Sequence, residues 1–145
     1  MEKPRPYITA ALLCEKVLQE KDGSLSLVRI ADNVQYHAVG LAQGTKPVFT
    51  IQGLLAFKSG PVSGDHKVNL IIEAPNGGRR DAFPHPIKVA LRGNDHGQNL
   101  ILNVSIEIAQ DGLYWFDVMF DEELLTRIPL TITPLQEEAA TEKMI

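Results

Sequence analysis

The feature that most constrains the fold is an alternation of side chains in residues 100–108. Every second residue is apolar, from Leu100 to Ile108, and Asn103, Ser105 and Glu107 lie between them. Successive side chains of a β-strand point to opposite faces of the sheet. The pattern therefore predicts a strand with one face in a core and the other towards solvent.

Seven other segments are rich in β-forming residues and are separated by Gly, Pro, Asn and Asp. No segment carries a helical stripe with caps at its ends. The segments are residues 7–18, 25–34, 48–57, 66–73, 87–91, 113–120 and 124–133. Many short strands without intervening helices predict an all-β fold, an antiparallel two-sheet β-sandwich of about eight strands, immunoglobulin-like or C2-like.

The turn residues suggest how neighbouring strands are joined. Asp22-Gly23 and Asp111-Gly112 lie between apolar runs, which is a strong hairpin signal. Asp121-Glu122 marks a further turn, so the last three strands are predicted to form a meander. Gly53, inside the segment 48–57, indicates a bulge or a close approach of two strands.

The chain has 145 residues, the size of one domain. We assign residues 1–6 to an N-terminal lead-in, residues 7–133 to the sandwich, and residues 134–145 to a tail that is flexible or a short helix.

The charge of the chain argues against some partners. The net charge is −4, so we expect neither a nucleic-acid nor an anionic membrane partner. No apolar run reaches the ~20 residues of a membrane-spanning helix. Arg79 and Arg80, which follow a Gly-rich turn, are interpreted as a solvated loop.

Cys14 is the single cysteine, so the chain cannot form an internal disulfide. This favours a reducing compartment, and we predict a cytoplasmic protein. Cys14 lies in an apolar run, where we expect it to act as a small buried hydrophobic residue. No cofactor is predicted.

Catalytic and ligand-binding alternatives rest on weak patterns. His85, Asp95 and His96 lie in loops and would form a metal or hydrolytic site if those loops met at one end of the sandwich, although no ligand spacing typical of a metal site occurs. A carbohydrate-binding or small-ligand-binding sandwich is a further alternative, but the nine aromatic residues are mostly needed in the core.

Apolar residues on the solvent side of a strand invite a functional interpretation. If Tyr114, Phe116, Val118 and Phe120 face the core, then Leu113, Trp115 and Met119 face outward, with Asp117 among them. Trp and Met are enriched in interface cores. The alternatives are that the N-terminal segment covers this strand or that the two faces are exchanged. Leu54 and Ile101, also out of step with the alternation, would extend the patch if their strands were neighbours.

The two ends of the domain resemble a known family. Residues 11–17 (ALLCEKV) and 21–27 (KDGSLSL), with residues 111–118 (DGLYWFDV), are similar to a family of small uncharacterised bacterial proteins. The resemblance implies a β-sandwich and no known activity, and it transfers no functional residue.

These observations together predict a non-enzymatic protein-interaction module. Its binding residues would be Leu113, Trp115 and Met119, and its partner another protein or a second copy of the chain in a homodimer.

Overall fold

The computed structural model describes residues 4–36, 46–94 and 96–135. In this part of the chain all regular structure is β-strand. The strands are β1 (Tyr7–Gln19), β2 (Leu25–Ala31), β3 (Asn33–Tyr36), β4 (Val48–Lys58), β5 (Ser63–Glu73), β6 (Arg79–Asp81), β7 (Ile87–Arg92), β8 (Gly97–Glu107), β9 (Gly112–Phe120) and β10 (Glu123–Pro134).

The strands form two sheets that pack face to face. The first sheet has the order β2-β1-β4-β8, and the second has the order β3-β10-β9-β5, with β6 and β7 sharing the far side of β5. The all-β, two-sheet prediction is confirmed. The described residues contain ten strands rather than about eight, and β3 pairs with β10 in parallel, so the expectation of a purely antiparallel arrangement is wrong.

The first extra strand arises where the chain changes sheets. Residues 25–34, predicted as one strand, divide at Asp32 into β2 in the first sheet and β3 in the second. The Asp32 carbonyl accepts a hydrogen bond from the Thr131 N–H at 3.0 Å, which holds the crossing against β10. The second extra strand is β6, which occupies residues expected to be irregular.

The predicted meander of the last three strands is wrong. β8 pairs with β4 in the first sheet, whereas β9 lies between β10 and β5 in the second. The Asp-Gly link therefore joins the two sheets instead of closing a hairpin. Gly112 has a φ of +130°, and Tyr114 Oη donates to the Gln110 carbonyl at 2.6 Å across the link. The hairpins β1–β2 and β9–β10 form as predicted.

Alternating side chains from both sheets fill the core. The inward side chains predicted for residues 100–108 and for β9 are buried, except Leu100, which is half-buried. Phe116, Val118, Leu130, Ile132 and Ile106 have no exposed surface. Two inner faces packed about 10 Å apart exclude water from these side chains. The strands extend from Tyr7 to Pro134, and Pro6 in the predicted lead-in is buried. Residues 136–145 of the predicted tail lie outside the described residues.

Gly53 marks a close approach of β1 and β4, as predicted. A Cβ atom at Gly53 would lie 3.3 Å from Leu13 Cδ2 and 3.4 Å from the Leu12 carbonyl oxygen. Leu13 is fully buried and cannot move into solvent. The lack of a side chain at residue 53 therefore lets the two strands pack at this distance.

We expect the substitution Gly53→Val to lower the free energy of unfolding by about 1–3 kcal/mol, because the added methyl groups overpack a closed site. Gly97→Val is the matched control on the neighbouring strand, where the nearest atom to a new Cβ is 3.9 Å away. Urea denaturation followed by circular dichroism measures both. Equal stability of the two variants would contradict the close approach.

Candidate interaction surface

The outward side chains of β9 lie on the outer face of the second sheet. The even-numbered residues of β9 are buried in the core, so Leu113, Trp115 and Met119 point away from it. Leu113 is 42% exposed, and the other two are half-buried. β1 belongs to the first sheet and pairs there with β2 and β4, so it does not pair with β9.

Leu54 and Ile101 do not extend this patch, so that expectation is wrong. They lie opposite each other on β4 and β8, which belong to the first sheet. Leu12 lies opposite Leu54 on the next strand, so the three residues form a separate apolar row on the other side of the sandwich.

A buried carboxylate lies in the middle of the outer face of the second sheet. Asp117 is only 3% exposed, although Trp115 and Met119, the next residues on the same face of β9, are only half-buried. Arg127 Nε donates to Asp117 Oδ1 at 2.7 Å, and Arg79 Nη1 donates to Asp117 Oδ2 at 2.9 Å. Both oxygens of the carboxylate are thus bound by guanidinium groups.

Glu73 closes the arrangement into a ring of four side chains. Arg79 Nη1 donates to Glu73 Oε1 at 2.9 Å, and Arg127 Nη2 donates to Glu73 Oε2 at 3.0 Å. The charge ring, as we call Glu73, Arg79, Asp117 and Arg127, takes one residue from each of β5, β6, β9 and β10. Its formal charge is zero, so each arginine is neutralised where it lies.

The arginines of the charge ring are held as cations. The hydrogen bond to Glu73, followed by that to Asp117, raises the pKa of Arg79, and the hydrogen bond to Asp117 is the largest cause that raises the pKa of Arg127. The interpretation of Arg79 as part of a solvated loop is wrong, because β6 pairs with β5 and places Arg79 opposite Glu73.

Arg127 also covers the single tryptophan. Its guanidinium carbon lies 4.5 Å from the centroid of the Trp115 ring, which is cation–π geometry. The hydrogen bonds to Asp117 and Glu73 fix the guanidinium, and the guanidinium in turn fixes the indole. Trp115 is therefore an ordered side chain next to the exposed Leu113.

We expect Asp117→Ala to lower the free energy of unfolding by about 1.5–3 kcal/mol, because two guanidinium groups lose their buried acceptor. The control is Glu15→Ala, which removes the carboxylate of the exposed Glu15–Arg29 pair and should cost about 0–1 kcal/mol. Chemical denaturation at one ionic strength compares them. A cost for Asp117→Ala no larger than that for Glu15→Ala would show that the ring contributes little.

A groove on the same face contains a His–Asp contact that the sequence did not reveal. The groove, of about 920 Å³, is lined by β5, β7 and the β9–β10 turn and includes Met119. His66 Nδ1 lies 2.5 Å from Asp121 Oδ2, and His66 Nε2 lies 2.8 Å from the Ser63 carbonyl oxygen. Asp121 Oδ1 also accepts from the Lys67 N–H at 3.0 Å.

This contact links β5 to the turn between β9 and β10. Both ring nitrogens of His66 already have partners in the chain, and the ring stacks on Phe120 with centroids 5.0 Å apart. Asp121 has a left-handed φ of +47° and lies in the turn between β9 and β10. The contact of Asp121 with His66 and with the Lys67 N–H therefore holds the turn against β5.

His85 and His96, two of the three residues of the loop site suggested by the sequence, do not lie together. His85 precedes β7 and His96 follows it, so the two lie at opposite ends of that strand. The six residues of β7 span roughly 20 Å at about 3.3 Å per residue. Asp95 lies outside the described residues. Among the described side chains, no group of three or more His, Cys, Asp or Glu residues is placed to hold a metal ion.

Cys14 is fully buried on β1. Burial raises the pKa of its thiol, and a backbone hydrogen bond near Lys16 opposes this shift. A protonated, inaccessible thiol is a poor nucleophile. The expected role as a small buried hydrophobic residue agrees with this position.

We expect less than about a tenth of the Cys14 thiol to react with a thiol reagent in the folded chain at neutral pH, and all of it after denaturation. Because the pKa of the folded thiol is raised, its contribution to the free energy of unfolding is fully present below the pKa of the unfolded thiol, about 8.5, and is lost as the pH rises through the folded pKa. Cys14→Ala should abolish this alkaline decrease. Rapid labelling of the native chain would contradict the burial.

The fold places the protein in the class of all-β domains with two packed sheets. Residues 9–133 match a family of unknown function, DUF6941. The match covers most of the chain, so the chain belongs to this family. A comparison with curated protein sequences gives no match.

Three solved structures are similar to the chain. The alkylpurine DNA glycosylase AlkC of Pseudomonas fluorescens, bound to DNA containing an abasic site analog, has a TM-score of 0.56 at 11% identity, over 90% of this chain and 31% of that one. The β-glucosidase of Listeria innocua in complex with glucose has a TM-score of 0.50 at 11% identity, over 86% and 16%. The CARDB domain of the Pyrococcus furiosus PF1109 protein, in complex with di-metal ions, has a TM-score of 0.43 at 12% identity, over 93% and 100%.

The chain thus spans about a third of the glycosylase and a smaller share of the glucosidase. At these identities the likeness concerns the fold alone. In the ranges that the structure describes, no helix has the length and hydropathy needed to span a bilayer.

Proposed function

We propose that the chain is a non-enzymatic protein-interaction module that binds a partner protein through the outer face of the second sheet. The contact residues are Leu113, Trp115 and Met119. The observation that carries the proposal is that Trp115 is held in place on a solvent-facing sheet by Arg127, which the charge ring holds in turn.

Such an arrangement suits protein recognition. Binding energy in interfaces is concentrated in a few residues, and Trp and Arg are enriched among them. Side chains that are already ordered lose little conformational entropy when a partner binds. Leu113, 42% exposed beside this cluster, offers apolar surface that a partner would remove from water.

The same geometry does not favour the other activities considered. Arg127 lies over the Trp115 ring, where a sugar would have to stack. Arg79 and Arg127 are each paired with two carboxylates, and the chain has a net charge of −4, so this surface is poorly suited to a nucleic-acid phosphate backbone. His66, which lines the groove, has protein partners on both ring nitrogens.

We also propose a cytoplasmic location and an immunoglobulin-like sandwich. The first is supported by the single cysteine, which is buried. The immunoglobulin-like sandwich is supported by the sheet order, in which β1, β4 and β8 face β5, β9 and β10. It is also supported by Tyr114, whose hydroxyl donates to the Gln110 carbonyl where the chain passes from the first sheet to the second. A tyrosine in this position is typical of immunoglobulin-like domains.

The test is affinity capture from the native host with three forms of the full chain, followed by quantitative mass spectrometry. We expect the wild type to recover a specific protein and Trp115→Glu to reduce its recovery about tenfold or more, the effect of losing a central contact. Ile30→Glu is the control, because Ile30 is 64% exposed but lies on the first sheet.

The fluorescence of the purified pair supplies a second readout. Trp115 is the only tryptophan, so its emission should shift when the partner covers this face. If Trp115→Glu recovers the same proteins as the wild type, or if binding leaves the indole emission unchanged, the surface is not the contact site.

A further inference from the structure

The strand edges of the two sheets differ in how they are protected. In the described part of the chain, β2, β3, β6, β7 and β8 each have one side that no strand pairs with. Natural sheets protect such edges with short strands, charges or local kinks. β3 has four residues, β6 has three, β7 carries Lys88 and Arg92, and β2 is kinked at Arg29, which has a φ of +53°.

β8 lacks all of these devices. It has eleven residues without proline, lysine or arginine, and its single charged residue, Glu107, is its last. It is continuously paired with β4 on its other side, with no shift of register from Gly97 to Glu107. A long, regular, uncharged edge of this kind is a template for another strand.

The direction of the unpaired backbone groups follows from the register. The Ile108 N–H donates to the Pro47 carbonyl, and the Ser59 N–H donates to the His96 carbonyl, at the two ends of the same ladder. Hydrogen-bonded pairs alternate along an antiparallel ladder. The even-numbered residues of β8 therefore bond to β4, and the odd-numbered residues point their N–H and C=O groups away from the sheet. All odd-numbered side chains of β8 are exposed.

An apolar row leads to the middle of this edge. Leu12, Leu54 and Ile101 lie side by side on the outer face of the first sheet, on β1, β4 and β8. Leu54 is buried, whereas Ile101, the last of the row, is 37% exposed. Continuing the sheet beyond β8 would cover Ile101 and extend the row.

We propose that β8 pairs antiparallel with β8 of a second copy of the chain. The two first sheets then form one continuous eight-stranded sheet across a two-fold axis. This interface lies on the opposite sheet from the Trp115 surface and goes beyond the partner binding proposed above, on which it does not depend.

A two-fold axis at Leu102, the central residue of β8, gives a complementary register. Ile101 then lies opposite Asn103 of the second copy and diagonal to the second Ile101, within the reach of side chains in neighbouring strands. Glu107 lies opposite Gly97 of the second copy, which has no side chain. On the far side of that Gly97 lies Lys58 of the second copy, its partner on β4. No two like charges of β8 face each other. Glu107, whose Oε1 lies 3.8 Å from Lys46 Nζ of its own chain, has Lys58 of the other copy one strand away.

The test is sedimentation velocity of the full chain at concentrations up to about 100 μM, where dimer formation depends on mass action. The wild type should reach twice the 16.0 kDa of one chain. Ile101→Lys places two positive charges beside the axis, and Ser105→Pro removes an outward N–H while the even-numbered residues keep their backbone bonds to β4. Each should raise the dissociation constant about tenfold or more.

Two controls separate this edge from other surfaces. Ile30→Lys, on the same sheet, and Trp115→Glu, on the other sheet, should keep the dimer mass. Hydrogen exchange of the wild type should show slow amides at Asn99, Ile101, Asn103 and Ser105, whose N–H groups point away from β4.

A chain that stays monomeric over this concentration range overturns the proposal. So does a dimer that persists in both edge variants, or one in which these four amides exchange freely. The last measurement decides the matter even if an edge variant fails to fold. Loss of the partner in Trp115→Glu with the dimer retained would show that the two surfaces act separately.

Discussion

The structure depends on the burial of alternating side chains between two sheets. Phe116 and Val118 from the second sheet and Val104 and Ile106 from the first have fully enclosed apolar side chains. Because this burial fixes which face of each strand is inner, it also fixes which residues are left outside. The charge ring, Trp115 and the Leu12–Leu54–Ile101 row all follow from that division.

The faces of the strands were predictable from sequence, but their neighbours were not. Period-two alternation identified the inward faces of β8 and β9, since it depends only on local geometry. The partner of each strand depends on where the chain changes sheets. Asp32 and Asp111-Gly112 look like turns inside one sheet, and nothing local distinguishes a hairpin from a crossing.

The candidate surface shows the same limit. Leu113, Trp115 and Met119 were placed on the outer face by alternation alone. The arginines that order Trp115 were not found, because Arg127 comes from β10 and the charge ring needs Arg79 from a three-residue strand. The one available signal was Asp117, a carboxylate on a strand that is otherwise apolar, which requires cationic partners when it is enclosed.

The parallel pairing of β3 with β10 has a consequence for synthesis of the chain. The two strands are separated by about a hundred residues, and β3 follows β2 after a single residue, Asp32. Contacts between distant parts of a chain form late and slow folding. While the ribosome is still adding residues, β1, β2 and β4 can pair among themselves. β3 has no strand to join until β10 has emerged, so the second sheet is completed after the strands of the first sheet are all available.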